Sequence, residues 1–437
     1  MSTPNDIQTA PRRFSRLRRY FQEVPLLGWL TGALAAVLAE QFVGLDLAHL
    51  VDLPKIPVLF GFENALKKPE LIFGTVLYVL LIYLAPTLVV SRLLQLPANR
   101  VAGFFARRWP AASIVFHLAL LYAVLHIWSD INDYRVIVVK ITLIAVMLTL
   151  SLNVINGYMG EFSCSHPGFM ALGAYAGSVV TIALFTNSSM FGKALLPPAI
   201  GPYFFPLALF VGGCVAAVGA LAVAIPSFRT RGDYLAIISL AFTFIVKSLI
   251  ENLEIVGGPR GMSGQPDWSN LPTVFVCTVV CVAVINNFVR STYGLALNAV
   301  RDNEMAAEAM TVNTQRTKMI AFLFSAFWAG VAGALFAHVL RYVNPGTFGL
   351  QQLAEVLSMV YFGGLNSIYG SIVGAVSINL LSEMLRPLEI WKWIFIPLLL
   401  ILVMIFRPTG WIAFKDFDPV RLIQPREKES SKLKAQS

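Results

Sequence analysis

The stretch from Arg290 to Lys318 reads RSTYGLALNAVRDNEMAAEAMTVNTQRTK, and it lies between one apolar block at 271–289 and another at 318–341. Each block reaches the ~18 or more residues that a helix needs to cross about 30 Å of hydrocarbon. A polar, patterned segment held between two such blocks is the mark of a membrane protein with a helical loop at its surface. The part from Ala296 to Met310 has no Pro or Gly and is rich in helix formers, which predicts one short helix. Its charges are Arg301, Asp302, Glu304 and Glu308, and Leu297, Val300, Met305, Ala309 and Met310 give it apolar surface. A helix of this kind on the inner face of a membrane protein is expected to be presented to a partner.

The rest of the chain repeats the alternation. Of its 437 residues 57% are hydrophobic and 13% charged, with a mean hydropathy of +0.70, whereas a soluble domain carries about 25% charged residues. The apolar windows lack the two-residue alternation of barrel strands, so the expected fold is all-α and polytopic. Ten spans are expected, at about 26–45, 71–91, 111–128, 136–157, 166–186, 203–226, 233–254, 271–289, 318–341 and 389–406. A further apolar region, 353–383, is interrupted by Gly363, Gly364, Gly370 and Gly374 and is read as a broken or re-entrant hairpin of two short helices.

Charge orients the chain. Arg12, Arg13, Arg16, Arg18 and Arg19 hold residues 1–25 on the cytoplasmic side. The apolar block that follows is long for a signal peptide and lacks an A-x-A site, so it is read as a retained span. Segment 46–70 has no basic excess and fits outside, while Arg92, Arg100, Arg107 and Arg108 mark an internal loop. An even span count returns the C-terminus to the cytoplasm, where Arg407, Lys415, Arg421, Arg426, Lys428, Lys432 and Lys434 also place it, in a tail over 411–437. The formal charge of +9 is then positive-inside bias and not a surface for nucleic acid. The chain divides into the basic N-terminus, an N-terminal membrane extension at 26–134 with no legible chemistry, a core at 135–410 that carries the loop 290–318, and the tail.

Two further segments carry polar groups where hydrocarbon is expected. Residues 151–178 read SLNVINGYMGEFSCSHPGFMALGAYAGS. Gly173 and Gly177 are spaced for close helix packing, but Asn153, Asn156, Gly157, Gly160, Glu161, Ser163, Ser165 and His166 cluster beside Pro167, which suggests a helix break or pathway element. His166 alone reads as a hydrogen-bonded structural residue. In residues 228–262, Arg229, Arg231 and Asp233 form an internal corner, and GGPRG forms a turn in which Gly257, Gly258 and Gly261 permit positive φ. Between them Lys247, Glu251 and Glu254 are spaced to share a helical face. Cys164, Cys214, Cys277 and Cys281 sit in or beside apolar windows and read as packing residues, with no metal site. The sequence has no GxxxxGK[ST], HExxH or GxSxG, so the chain is read as non-catalytic.

Four motifs then appear in order: LNVINGYMGEFSCSHPGFMALGAYAG, RGDYLAI followed by GGPRG, GLALNAVRDNEMAAEAM, and FGGLNSIYGSIVGA. Together they resemble the LivM-type permeases of branched-chain amino acid ABC importers, over residues 135–407. The resemblance implies a heterodimer with a second, related permease, two cytoplasmic ATPase subunits that bind ATP and Mg, a periplasmic substrate-binding protein, and a bacterial inner membrane with both termini cytoplasmic. It assigns Arg301, Asp302, Glu304 and Glu308 to the helix that docks on the ATPase. It leaves Asn153, Gly157, Gly160, Ser163, His166, Gly257, Gly258, Gly363, Gly364 and Asn366 as pathway or helix-break candidates, and no cofactor on this chain. Two positions depart from the family pattern, which has Gly at the places of Thr311 and Asn366. The first touches the turn after the docking helix, and the second suggests a different substrate. Rival readings are a urea or short-chain amide importer, an ion-coupled transporter using Lys247, Glu251 and His166 as a relay, and a membrane scaffold.

Overall fold

The computed structural model describes residues 24–53, 55–57, 59, 69–187, 191–228 and 234–424. The N-terminal arginines, the Arg229–Asp233 corner and the end of the tail lie outside them. The helices are α1 Leu26–Leu50, α2 Ile72–Leu93, α3 Gln95–Arg108, α4 Pro110–Asp130, α5 Asp133–Asn153, α6 His166–Phe185, α7 Gly201–Ser227, α8 Tyr234–Asn252, α9 Leu271–Arg290, α10 Thr292–Asp302, α11 Glu304–Ala309, α12 Thr314–Leu340, α13 Leu350–Gly363, α14 Ile368–Met384, α15 Lys392–Phe406 and α16 Pro419–Ile423. Strands β1 Met262–Ser263 and β2 Tyr342–Val343 form an antiparallel pair.

Nine of the described helices are long and apolar enough to cross a membrane, so the chain is an all-α, multi-pass membrane protein. The tenth expected span falls on α15, which has 15 residues and extends about 22 Å at ~1.5 Å per residue. The shortfall has a local cause, because Arg386–Trp391 winds as a 3₁₀ turn with Pro387 at its start and leaves the α-helix only the remainder of the apolar run.

The chain divides into two compact units, residues 1–135 with 418–437, and residues 136–417. In the first, α1 packs on α2 and α4. Gly28 and Gly32 let α1 approach the backbone of Thr87 and Ser91. Helix α2 contains a π turn at Leu80–Leu84, just before Pro86, whose missing N–H disturbs the regular ladder. A buried ion pair ties the unit together. Arg135 donates from Nη2 to Glu40 Oε1 at 2.8 Å and from Nη1 to Oε2 at 3.1 Å. Tyr83 donates to the same carboxylate at 2.6 Å, the Pro57 carbonyl accepts from Arg135 at 2.9 Å, and Trp128 stacks under the guanidinium at 4.8 Å. Neither charge is more than 1% exposed, so removing either partner leaves an uncompensated buried charge, at a cost of about 3–5 kcal/mol.

The second unit is built on α6, α7 and α12, which meet along a seam of small residues. A Cβ on Gly173 would strike the backbone of Gly330, one on Gly330 would strike Ala216 and Gly212, and one on Gly333 would strike Met170. In lipid the tails are as apolar as the side chains, so such helices associate by close van der Waals fit, which only small residues allow. Phe169 fills the space below this seam against Phe242 and Phe322. Helices α13 and α14 pack as the expected hairpin, with Gly363 against Gly370 and Gly374 against Met359. Their turn lies at the same end of the unit as α10 and α11. The β1–β2 pair marks the other end, separated by the ~40 Å length of α12 at about 1.5 Å for each residue.

Candidate functional site

The segment 290–318 folds as an elbow rather than the single helix expected over 296–310. Helix α10 stops at Asp302 because Asn303 adopts φ −161° and ψ 103°, and the Asn303 side chain then caps α11 by accepting from the Ala306 N–H. On α10, Leu297 and Val300 are buried in the unit. On and after α11, Met305 and Met310 are 80% and 77% exposed.

Helix α11 ends in a Schellman turn, with Val312 N–H donating to the Ala307 carbonyl and Thr311 N–H to Glu308. Thr311 occupies the left-handed position at φ 66°. The turn that the departure from Gly put in question therefore forms, at the cost of holding a β-branched residue where Gly is preferred. Thr311→Gly is expected to stabilise the folded protein by about 1 kcal/mol, read as a rise in the thermal unfolding midpoint in detergent. An unchanged or lowered midpoint would contradict the strain. Asn366 has the same explanation: its φ of 55° is left-handed, and asparagine is the non-glycine residue best suited to it. Asparagine at 366 is thus compatible with the backbone conformation that glycine would otherwise serve.

Three of the four charges assigned to docking are turned toward the chain itself. Arg301 donates to the Gly157 carbonyl at 3.3 Å, pairs with Asp302 at 2.8 Å and lies over the Phe414 ring at 5.3 Å. Glu304 binds Lys318 at 2.9 Å, and Lys318 also binds Glu161 at 2.8 Å. Glu308 accepts from the Thr314 hydroxyl at 2.9 Å. Asp302 is mostly exposed. Lys318 is 9% exposed and bridges two carboxylates through charge-assisted bonds, fastening the elbow both to α12 and to the segment after α5.

That segment explains the glycines. Helix α5 continues into a π turn, Val154–Met159, and ends at Gly160 with φ 77°. A Cβ on Gly160 would collide with Arg301, and one on Gly157 with Asn153 and the Asn366 N–H. Asn153 is 1% exposed and holds the break between α13 and α14. Its Nδ2 donates to the Ser371 hydroxyl at 2.6 Å and to the Ser367 carbonyl at 3.1 Å, and its Oδ1 accepts from Asn366 N–H at 3.1 Å. The unwound backbone at Gly363 and Gly364 is completed by residues 409–414: Leu365 N–H donates to Thr409, Trp411 to Phe362, Ile412 to Gly363 and Phe414 to Leu365. Residues 411–417 therefore belong to the folded core rather than to a loose tail that begins at 411, because buried peptide groups at the break need these partners.

The Ser163 N–H donates to Asn156 and its hydroxyl meets that of Ser165 at 2.9 Å. Cys164 is clasped between Ser239 and Thr243, and burial pushes its thiol up to about 11, which makes it inert. His166 is fully buried with Nε2 3.1 Å from the Ser325 hydroxyl, which in turn donates to the Ser151 carbonyl. Gly257 and Gly258 have φ of 87° and 54° as expected, but they sit beside β1 at the far end of the unit and are not part of the elbow. Lys247 and Glu251 form a half-exposed contact of 3.9 Å. Glu254 does not share their face, because α8 ends at Asn252 and Leu253 turns the chain into a separate 3₁₀ turn. His166 and the Lys247–Glu251 pair thus engage different partners.

A glycine-packed bundle of apolar helices with a polar elbow at one end defines an all-α, multi-pass membrane protein. The family described as branched-chain amino acid transport system, permease component, matches residues 135–405, and the chain belongs to it as a LivM-type member. It is 31% identical over 308 residues to the high-affinity branched-chain amino acid transport system permease protein LivM of Escherichia coli strain K12, covering 62% of this chain and 68% of that one. With LivM of Salmonella typhimurium strain LT2 the identity is 30% over 331 residues, 68% of this chain and 74% of the relative. The permease LivH of the same Salmonella strain matches at 26% over 177 residues, 40% of this chain and 56% of the relative. No solved structure matches.

Proposed function

We propose that this chain is a permease subunit of an ATP-driven ABC importer for branched-chain or other hydrophobic amino acids, seated in a bacterial inner membrane with both termini and the elbow in the cytoplasm. Its partners are a second permease of the LivH kind, two ATPase subunits that hold ATP and Mg, and a periplasmic binding protein. The observation that carries this reading is the elbow. Three of its four charges are spent on Lys318, Thr314 and Gly157, while Met305 and Met310 are offered outward, and methionine is the side chain best able to adapt to an apolar groove.

The same bonds give the elbow a mechanical role. Through Lys318 it grips α12, through Arg301 it grips the end of α5, and the end of α5 grips the hairpin break through Asn153. A displacement of the elbow by ATPase closure moves three spans together and favours one side of an alternating-access equilibrium. Nucleotide acts only through its differential affinity for the two states, so selectivity resides mainly in the binding protein.

Reconstitution of the chain with these partners in vesicles tests the assignment. ATP-dependent accumulation of leucine is expected, absent for the chain alone and insensitive to collapse of ion gradients. Uptake by the isolated chain that stops when the gradient collapses would make it an ion-coupled transporter. Accumulation of urea or a short amide in place of leucine would move it to that class of importer.

A further inference from the structure

Beside the elbow is a half-open cavity of about 240 Å³, the liquid volume of about eight waters. Arg290, at the end of α9, and Asp416 both line it, and neither has an ion-pair partner among the described residues. Three more of its residues, Asn286, Asn298 and Asn366, each carry a buried side-chain oxygen with no hydrogen-bond partner among the described residues. Buried polar groups are almost always satisfied, and several orphans around one cavity call for a ligand or ordered solvent. The remaining wall is Tyr158 and the apolar side chains of Val289, Leu295, Ile368, Phe414 and Phe417.

We infer that this cavity is a binding site for a single zwitterionic amino acid with an apolar side chain, and that its occupancy holds the elbow in place. The carboxylate pairs with the Arg290 guanidinium, the ammonium donates to Asp416 and to the orphaned amide oxygens, and the side chain lies on Leu295, Ile368 and Phe417. A ligand of one charge would leave either Arg290 or Asp416 unanswered, and the volume suits one amino acid rather than a peptide. Both charged residues are exposed to water, so each ion pair is screened and the affinity falls near the millimolar range. That range responds to accumulated product. The walls come from α9, α10, the hairpin break and residues 416–417, and so include the elbow's own first helix and the break to which it is tied through Asn153. The inference rests on the reading above that the elbow faces the cytoplasm, and its consequence is inhibition of import by product on that side.

Direct binding tests it. The assembled complex, without binding protein, in lipid nanodiscs is titrated with radiolabelled leucine. Saturable binding is expected, and Arg290→Gln and Asp416→Asn are each expected to weaken it about tenfold or more. Leucinamide, which lacks the carboxylate, should bind the parent and Arg290→Gln alike. In vesicles preloaded with leucine on the ATP side, uptake by the parent complex should slow and uptake by the two variants should not. Absence of saturable binding, or binding that both substitutions leave unchanged, overturns the site. Uptake into unloaded vesicles reads the importer assignment separately: if it is absent, that assignment fails, and if it is present without inhibition by preloaded leucine, this inference fails.

Discussion

Replacing Met305 and Met310 together by Asp is expected to abolish ATP-driven uptake and to release the ATPase subunits during purification, while the chain itself stays folded. The two side chains are 80% and 77% exposed, so the folded chain loses almost no packing, and its stability should change by no more than about 0.5 kcal/mol. On the proposed docking, the same side chains enter the ATPase groove. Burial of a methionine contributes about 1.5–3 kcal/mol, and a carboxylate set against the same apolar surface must also be desolvated. A total of at least about 4 kcal/mol is a thousandfold weaker association. Uptake, retention of the ATPase on an affinity column and the unfolding midpoint are the three measurements. Normal uptake with the ATPase still bound would show that the elbow does not dock there. A fall in the midpoint of several degrees would show that the methionines are internal supports.

The elbow also shows where sequence reading runs out. Windows of hydropathy located the long helices, and the glycine breaks at 363–364 located the hairpin turn, because both signals are local in the chain. The elbow was legible as a polar stretch, but not its bend. Asn303 acts as a cap only because its side chain prefers the Ala306 N–H to a continuing helix, a choice that helix propensity does not register. The resemblance assigned four charges to docking, yet three are engaged by Lys318, Thr314 and Gly157. Lys318 is 157 residues from Glu161, and no local pattern pairs them. The Glu40–Arg135 pair was missed for the same reason, since 95 residues separate its members. Thr311 put a turn in question and Asn366 a substrate, and both occupy left-handed backbone, which becomes visible only once φ is known.

Gly330→Leu is expected to destroy the second unit. The site has no flexible neighbour to give way. A Cβ there would lie 2.5 Å from the Ala216 Cβ and 2.8 Å from the Gly212 carbonyl oxygen, while Gly173 presses its own backbone against Gly330 from the other side. Ala already requires α7 and α12 to separate by several tenths of an ångström, which overpacking data put at about 1–3 kcal/mol. Leu adds three carbons with no void to receive them and should cost about 4 kcal/mol or more. In a bilayer the displaced helices gain no compensation, because lipid offers each of them an equally apolar surface and the lost term is close contact alone. The checks are the yield of monodisperse protein in mild detergent and its unfolding midpoint, in the order parent, Ala, Leu. A Leu variant with parental yield and midpoint would mean that α6, α7 and α12 are not joined at Gly330. The elbow would then lack the rigid framework that its three-span movement requires, because Lys318 delivers force to α12 only three turns before that crossing.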